Sequence, residues 1–164
     1  MAVVCFDTHV LIWGIKQEAQ PSQREMIEKA NALIRECQDK KDSVIIPAVV
    51  VAEMLCSVPH ETHQRFFQIL NESFMIVPFD ARAALINARI WQEQKTLREE
   101  FREQQINRQA IKIDIQIAAI AIASGCNILY TEDAPLYRLA ERYIDVKKIS
   151  EIPLPPHQLN WLTE

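Results

Sequence analysis

The chain has 164 residues, a length that fits one domain with a sizeable buried core. Its composition, 49% apolar and 24% charged, is typical of a globular protein, and no apolar run approaches the ~20 residues of a membrane span. The formal net charge of −4 argues against a protein that coats nucleic acid, since such proteins are usually basic. The only glycines, Gly14 and Gly125, are too few for a glycine-rich phosphate loop.

The cysteines and the N-terminal segment bear on the cellular compartment. The four cysteines form no CxxC pair, which argues against zinc ligation. The chain enters a strand-like segment almost at once, without a basic leader and cleavage site. We therefore expect a cytoplasmic protein with reduced thiols and no membrane association.

Short apolar runs alternate along the chain with longer helical patterns. Strands are predicted at 2–6, 44–46, 75–77 and 127–130, with an edge strand near 146–149. Helices are predicted at 10–13, 21–39, 48–57, 60–71, from Asp80 to about 109, at 113–124 and at 134–142. This alternation predicts the α/β class, with a short central parallel sheet covered by helices on both faces in a three-layer α/β/α sandwich.

Two segments stand apart from this pattern. Asp80 is expected to cap one long helix, which continues through the charged tract 92–110. A single domain is predicted over 1–150, followed by a proline-rich tail over 151–164. Three apolar side chains are candidates for docking that tail: Leu159, Trp161 and Leu162.

Three acidic residues are each the only charged residue in a long apolar run: Asp7, Glu53 and Asp114. Taken singly, each has an ordinary explanation, such as a turn, a solvated position or a helix cap for Asp114. Together they are harder to explain, because the nearest basic residues, Lys16 and Lys112, lie only at the margins of these runs. Charged groups are rarely buried without a partner or a metal.

The predicted topology brings these acids to one place. Asp7 follows one predicted strand and Asp133 follows another, and ligands of parallel sheets bind beyond the carboxyl ends of the strands. The neighbouring Glu132 is an alternative to Asp133 as the fourth acid. Clustered carboxylates must take up protons or bind a hard cation, and all-oxygen ligands favour Mg²⁺ or Mn²⁺ over zinc. Such a site suits phosphodiester hydrolysis.

Four short motifs resemble, in order and spacing, those of the PIN-domain nucleases: DTHVLIW at 7–13, VAE at 51–53, IDIQIAA at 113–119 and TED at 131–133. The resemblance spans about 3–137 and implies a PIN-like nuclease domain over 1–150 with the α/β/α fold. It also implies a metal-dependent endoribonuclease that cleaves single-stranded RNA through a metal-activated water. Many small members of the family are VapC-type toxins neutralised by an antitoxin protein, and the resemblance further suggests a homodimer.

The resemblance assigns a role to each matching position. Asp7, Glu53, Asp114 and Asp133 would be the catalytic acids and the ligands of Mg²⁺ or Mn²⁺. Thr8 and Thr131 would orient them through hydrogen bonds.

Two other functions are alternatives to the nuclease. A non-catalytic interaction module would keep the fold and bind a partner through its long helix and tail. A phosphatase of the haloacid-dehalogenase type ranks low, because His9 stands where that class has its second aspartate.

Overall fold

The structure of the chain, a computed structural model, describes residues 1–154. Its strands are β1 Val3–Phe6, β2 Ser43–Pro47, β3 Met75–Val77, β4 Ile128–Tyr130 and β5 Asp145–Lys147. They form one sheet in the order β3-β2-β1-β4-β5, and every neighbouring pair is parallel. The first strand therefore lies at the centre of the sheet.

Helices cover the two faces of this sheet. They are α1 Thr8–Leu11, α2 Arg24–Asp39, α3 Ala48–Cys56, α4 His63–Ser73, α5 Ala81–Glu93, α6 Lys95–Glu103, α7 Arg108–Ala123 and α8 Ala134–Ala140. A π-helical turn, Ile12–Lys16, extends α1, and 3₁₀ turns occupy Pro21–Gln23, His60–Thr62 and Ile149–Glu151. The predicted three-layer α/β/α sandwich is confirmed. Within residues 1–154, no helix is long and apolar enough to cross a membrane.

Helix α7 is apolar on nearly every side because it packs against several elements at once. It contacts α3, α5, α8 and β2. Its buried residues are Ile111, Ile115, Ile117, Ala118, Ala119, Ile120 and Ala121. The alanines let neighbouring elements approach closely, while the isoleucines supply most of the buried apolar area.

The prediction of one helix from Asp80 to about 109 is wrong. Asp80 does cap α5, because its carboxylate accepts a hydrogen bond from the Ala83 N–H at 2.8 Å. The helix then breaks at Gln94, and α6 ends before Gln105, whose φ of 60° is left-handed. The next residue, Ile106, donates its N–H back to the Phe101 carbonyl at 2.9 Å, which closes the helix end.

Helix α7 begins at Arg108, earlier than predicted, because Asn107 caps it. The Asn107 side-chain oxygen accepts hydrogen bonds from the N–H groups of Gln109 at 2.7 Å and Ala110 at 3.4 Å. Asp114 therefore lies in the second turn of the helix. Its interpretation as a helix cap is wrong, so capping does not explain this acid.

The remaining differences between prediction and structure are small. Pro47 belongs to the end of β2, where it is in register with Val77, and α3 starts directly after it. The edge strand β5 ends at Lys147, because a 3₁₀ turn takes up Ile149. The tail over 151–164 stays a prediction, and the docking candidates Leu159, Trp161 and Leu162 lie outside the described residues.

Gly125 ends α7 in a left-handed conformation, with φ of 70°. Its N–H donates to the Ile122 carbonyl at 3.0 Å, and the Cys126 N–H donates to the Ala121 carbonyl at 3.0 Å. This is the hydrogen-bond pattern of a Schellman motif, in which glycine avoids the cost that a Cβ atom incurs at positive φ.

We expect Gly125→Ala to lower the free energy of unfolding by about 1 kcal/mol. Apart from its two chain neighbours, no residue of 1–154 has an atom within 4 Å of a Cβ built at this position, so the cost arises from the backbone conformation and not from a clash. Gly125→Asn should cost less, because asparagine tolerates left-handed φ. Urea unfolding of the three proteins measures this, and equal stability of the alanine and asparagine variants would contradict it.

Candidate active site

Asp7 directly follows β1 and is 4% exposed. The Thr8 N–H donates to its Oδ1 at 2.6 Å, and the Thr131 hydroxyl donates to its Oδ2 at 2.6 Å. The Asp7 N–H in turn donates to the Tyr130 carbonyl at 3.1 Å, which continues the pairing of β1 with β4. Both carboxylate oxygens have partners, so the side chain is held in one orientation.

Burial raises the pKa of Asp7, because the carboxylate loses its hydration. The hydrogen bonds from Thr131 and Thr8 and the charge of His9 oppose this increase in pKa, whereas the charge of Asp133 adds to it. The direction of the shift shows that hydrogen bonding does not fully compensate for burial.

Thr131 connects Asp7 to the acid that follows β4. It is fully buried, and its Oγ1 donates to Asp7 while accepting the Asp133 N–H at 3.0 Å. Asp133 itself caps α8, since its Oδ1 accepts the Leu136 N–H at 2.9 Å. One hydroxyl thus fixes the position of two acids from neighbouring strands.

Thr8 connects the same site to α3. Its hydroxyl donates to Glu53 Oε2 at 2.6 Å, while its N–H holds Asp7. Glu53 lies on the exposed side of α3, as a solvated position would require. One of its oxygens is nevertheless held by the Thr8 hydroxyl. The sequence alone could not reveal this contact, because 45 positions separate the two residues.

Asp114 projects from α7 and is partly buried. Burial is the main cause that raises its pKa to about 8, and the negative charges of Asp133, Asp7 and Glu53 raise it further. Every charge that contributes to this shift belongs to one of the other three acids. The structure therefore brings the four acids into one electrostatic neighbourhood.

No lysine neutralises this cluster of acids within residues 1–154. Lys16 pairs with Glu18 at 2.8 Å and hydrogen-bonds Ser57 at 3.3 Å. Lys112 is exposed and has no carboxylate within 4.0 Å in the part of the chain that the structure describes. The excess negative charge is therefore left for protons or for a bound cation.

The chemistry of the donor set fits a hard divalent cation. All four side chains offer carboxylate oxygens, and a cation would relieve the repulsion that raises the pKa of Asp114. Among the described residues, no three acidic, histidine or cysteine side chains converge on one point, because Asp7, Glu53 and Asp133 each direct an oxygen to a threonine or backbone donor. To bind one metal ion, the carboxylates would have to rotate. Asp114 is free to do so, because neither of its oxygens accepts a hydrogen bond within residues 1–154.

The two candidates for the fourth acid point to different places. Glu132 Oε2 accepts the Ser150 N–H at 3.0 Å, so this side chain ties down the segment after β5. Asp133 lies close enough to raise the pKa of both Asp7 and Asp114. This geometry favours Asp133 over Glu132.

The fold and these side chains define a class: an α/β domain with clustered acids at the carboxyl ends of its central strands. The family model for the PIN domain matches residues 4–142. The chain belongs to the PIN domain family. No curated protein matches it at a significant level.

Solved structures share this fold. A chain of the VapBC2 structure from Rickettsia felis, bound to a DNA fragment from its promoter, aligns with a TM-score of 0.60 at 16% identity over 89% of this chain and 98% of that one. A chain of VapBC-1 from nontypeable Haemophilus influenzae aligns with a TM-score of 0.59 at 14% identity, over 91% of this chain and 99% of that one. A chain of DNA-bound VapBC from Salmonella typhimurium aligns with a TM-score of 0.56 at 16% identity, over 91% of this chain and 99% of that one. At these identities the similarity shows the fold.

We expect Thr131→Val to lower the free energy of unfolding by about 1–3 kcal/mol, because it leaves Asp7 Oδ2 and the Asp133 N–H without their partner in a buried place. It should also raise the pKa of Asp7 further, since the lost hydrogen bond favours the charged form. Urea unfolding measures the first effect. Thr131→Ser keeps the hydroxyl and serves as the control, and a valine variant more stable than the serine variant would contradict the bridging role.

The pKa of Asp114 predicts how stability depends on pH in the metal-free protein. Because the folded-state pKa is raised from 3.8 to about 8, the stability is fully present below pH ~4 and is lost as the pH rises through about 8. Each unit of pKa difference corresponds to about 1.4 kcal/mol, so the loss is on the order of a few kcal/mol. Asp114→Asn should remove most of this dependence.

Urea unfolding in EDTA, repeated across this pH window, measures the effect. Asp145→Asn removes an exposed aspartate of β5 and is the matched control, which should keep the pH dependence of the wild type. An Asp114→Asn variant with an unchanged pH dependence would show that neither burial nor the neighbouring acids raise the pKa of Asp114 in this way.

Proposed function

We propose that the protein is a metal-dependent endoribonuclease that hydrolyses single-stranded RNA, with Asp7, Glu53, Asp114 and Asp133 as the ligands of Mg²⁺ or Mn²⁺. The proposal rests chiefly on one observation: acids from four separate elements share a neighbourhood in which no lysine or arginine of residues 1–154 forms an ion pair with them. Membership of the PIN domain family supports a nuclease. The all-oxygen donor set favours a hard cation over zinc.

Each residue has a defined part in this proposal. Bound Mg²⁺ or Mn²⁺ would supply the activation of water and the neutralisation of phosphate charge. Thr131 and Thr8 hold Asp7 in place through both of its oxygens, and Thr8 also holds Glu53. Asp114 retains a proton near neutral pH in the metal-free state and would release it when the cation binds.

We further propose that the protein is the toxin of a VapBC-type pair, with an antitoxin protein as its partner. The similarity in fold to chains from VapBC structures of Rickettsia felis and Haemophilus influenzae supports this. A homodimer and a cytoplasmic location belong to the same proposal. The formal net charge of −4 argues against a general nucleic-acid-coating role.

A second candidate is a non-catalytic PIN-fold interaction module. One observation favours it: the described carboxylates do not converge on a single point. The two proposals differ in metal binding, because a module has no need of a cation.

We expect metal-dependent cleavage of a labelled single-stranded RNA by the wild-type protein, and a decrease of more than about 100-fold for Asp7→Asn and Asp114→Asn. A factor of this size exceeds the effect of removing a group that only orients a ligand. Initial rates in Mg²⁺, in Mn²⁺ and in EDTA measure the effect, with circular dichroism to verify folding. Activity that persists in EDTA, or in both variants, would exclude the proposed mechanism.

Glu132→Gln is the matched control for these variants. It neutralises the acid next to Asp133, but its side chain faces Ser150, so cleavage should stay close to that of the wild type. Calorimetry with Mn²⁺ separates the enzyme from the module. Binding that is lost in Asp114→Asn supports the enzyme, whereas no Mn²⁺ binding by the folded wild type supports the module.

A further inference from the structure

A cavity of about 280 Å³ lies where the end of α5, helix α6 and the start of α7 meet. Its lining includes four cationic side chains: Lys95, Arg98, Arg102 and Arg108. Only one acid, Glu99, lines it, and that residue lies 4.0 Å from Lys95. The cavity therefore carries a net positive charge in a chain whose total charge is negative.

The three arginines of this cavity lack carboxylate partners within residues 1–154, since none has a carboxylate oxygen within 4.0 Å there. By contrast, Arg138 of α8 pairs with Glu100 of the same helix α6 at 2.8 Å. Burial lowers the pKa of Arg98, the negative charge of Glu99 opposes this decrease, and the positive charge of Arg108 adds to it. The guanidinium groups thus repel one another, and an anion between them would relieve that repulsion.

Trp91 fixes the Arg98 guanidinium in a defined orientation. The Arg98 Cζ lies 3.8 Å from the centroid of the Trp91 ring, and its Nε donates to the Trp91 carbonyl at 2.9 Å. Both terminal nitrogens remain without a partner in the described part of the chain. An arginine held by stacking in this way presents a planar pair of donors that suits bidentate binding of a phosphate.

The cavity is close to the acid cluster along α7. Ile111 lines the cavity, and Asp114 lies three residues further along α7. Residues at this spacing are neighbours on the same helix. With a rise of ~1.5 Å per residue, Arg108 lies about 9 Å along the helix from Asp114. A ligand with phosphates spaced along a chain could reach both places at once, whereas a single small anion could not.

From these observations we infer that the cavity binds a backbone phosphate of the RNA strand, at a distance from the bond that is cleaved. The inference rests on the proposed ribonuclease function and adds a second contact with the same substrate. Arg98 is the rigid donor, while Arg102 and Arg108 supply further charge. Because the contact is to phosphate, it contributes to affinity and positioning without reading the base sequence.

Binding of a labelled single-stranded oligonucleotide, measured by fluorescence anisotropy in EDTA, tests the inference without cleavage. Arg98→Gln and Arg108→Gln should each weaken binding about tenfold, the effect of losing one charge-assisted hydrogen bond. Each should also reduce the slope of log K against log salt by about 0.7. Arg65→Gln removes the same charge from an exposed position on α4 and should change neither quantity.

Arg98 also packs on Trp91, so replacing it can weaken the fold and thereby reduce binding indirectly. Arg108 is exposed, and its variant keeps the test valid. Cleavage in Mn²⁺ adds a second arm. Arg108→Gln should raise KM for the oligonucleotide but leave that for a dinucleotide unaffected, because the single phosphate of a dinucleotide is the one that is cleaved. A folded Arg108→Gln variant that matches Arg65→Gln in binding would overturn the inference.

Three further results of these experiments would overturn either the inference or the proposed function. Inorganic phosphate that competes as strongly as the oligonucleotide would show a site for a small anion and overturn the RNA assignment. Binding of an acidic peptide that depends on Arg98 and Arg108, with RNA binding unchanged, would overturn it in favour of a protein partner. Normal RNA binding through the cavity in a wild-type protein that never cleaves RNA would contradict the proposed function while supporting this inference.

Discussion

The hydrogen bond from the Thr131 hydroxyl to Asp7 joins the ends of two neighbouring strands, and the geometry of the candidate site depends on it. The bond can form because Phe6 is in register with Tyr130, which places the next residue of each strand side by side. A slip of one residue would turn both side chains to the opposite face of the sheet. The apolar residues of β1 and β4 prevent such a slip, since it would expose part of the core.

The order of the strands explains why the acids meet here. The chain builds β2 and β3 on one side of β1, then crosses over and builds β4 and β5 on the other. A crevice forms at such a reversal, beyond the carboxyl ends of β1 and β4. Helix α3 follows β2 and contacts α7, so that Glu53 and Asp114 reach the same crevice from the two helices.

The sequence reveals much of this arrangement, because buried elements exclude charge. Asp7, Glu53 and Asp114 stand out as single charges in apolar runs, and the strands follow from the same runs. The helix ends around α6 do not follow in this way, since they depend on a glutamine in a left-handed conformation. The choice between Glu132 and its neighbour also depends on tertiary structure, because the backbone at Ser150 takes up the Glu132 side chain. The stacking of Arg98 on Trp91 escapes notice for a similar reason, as it lies across the helix break at Gln94, which the sequence does not reveal.

The distribution of charge constrains any function that involves RNA. A chain with a net charge of −4 gains no general attraction to a polyanion, and its clustered acids repel phosphate directly. Phosphate can therefore be received only where positive charge is concentrated locally. The proposed divalent cation supplies such a place at Asp114, and the arginines around Trp91 supply another at the start of the same helix. A strand held at both places would be aligned along α7, so the affinity for RNA and the position of the cleaved bond would be set by one rigid element.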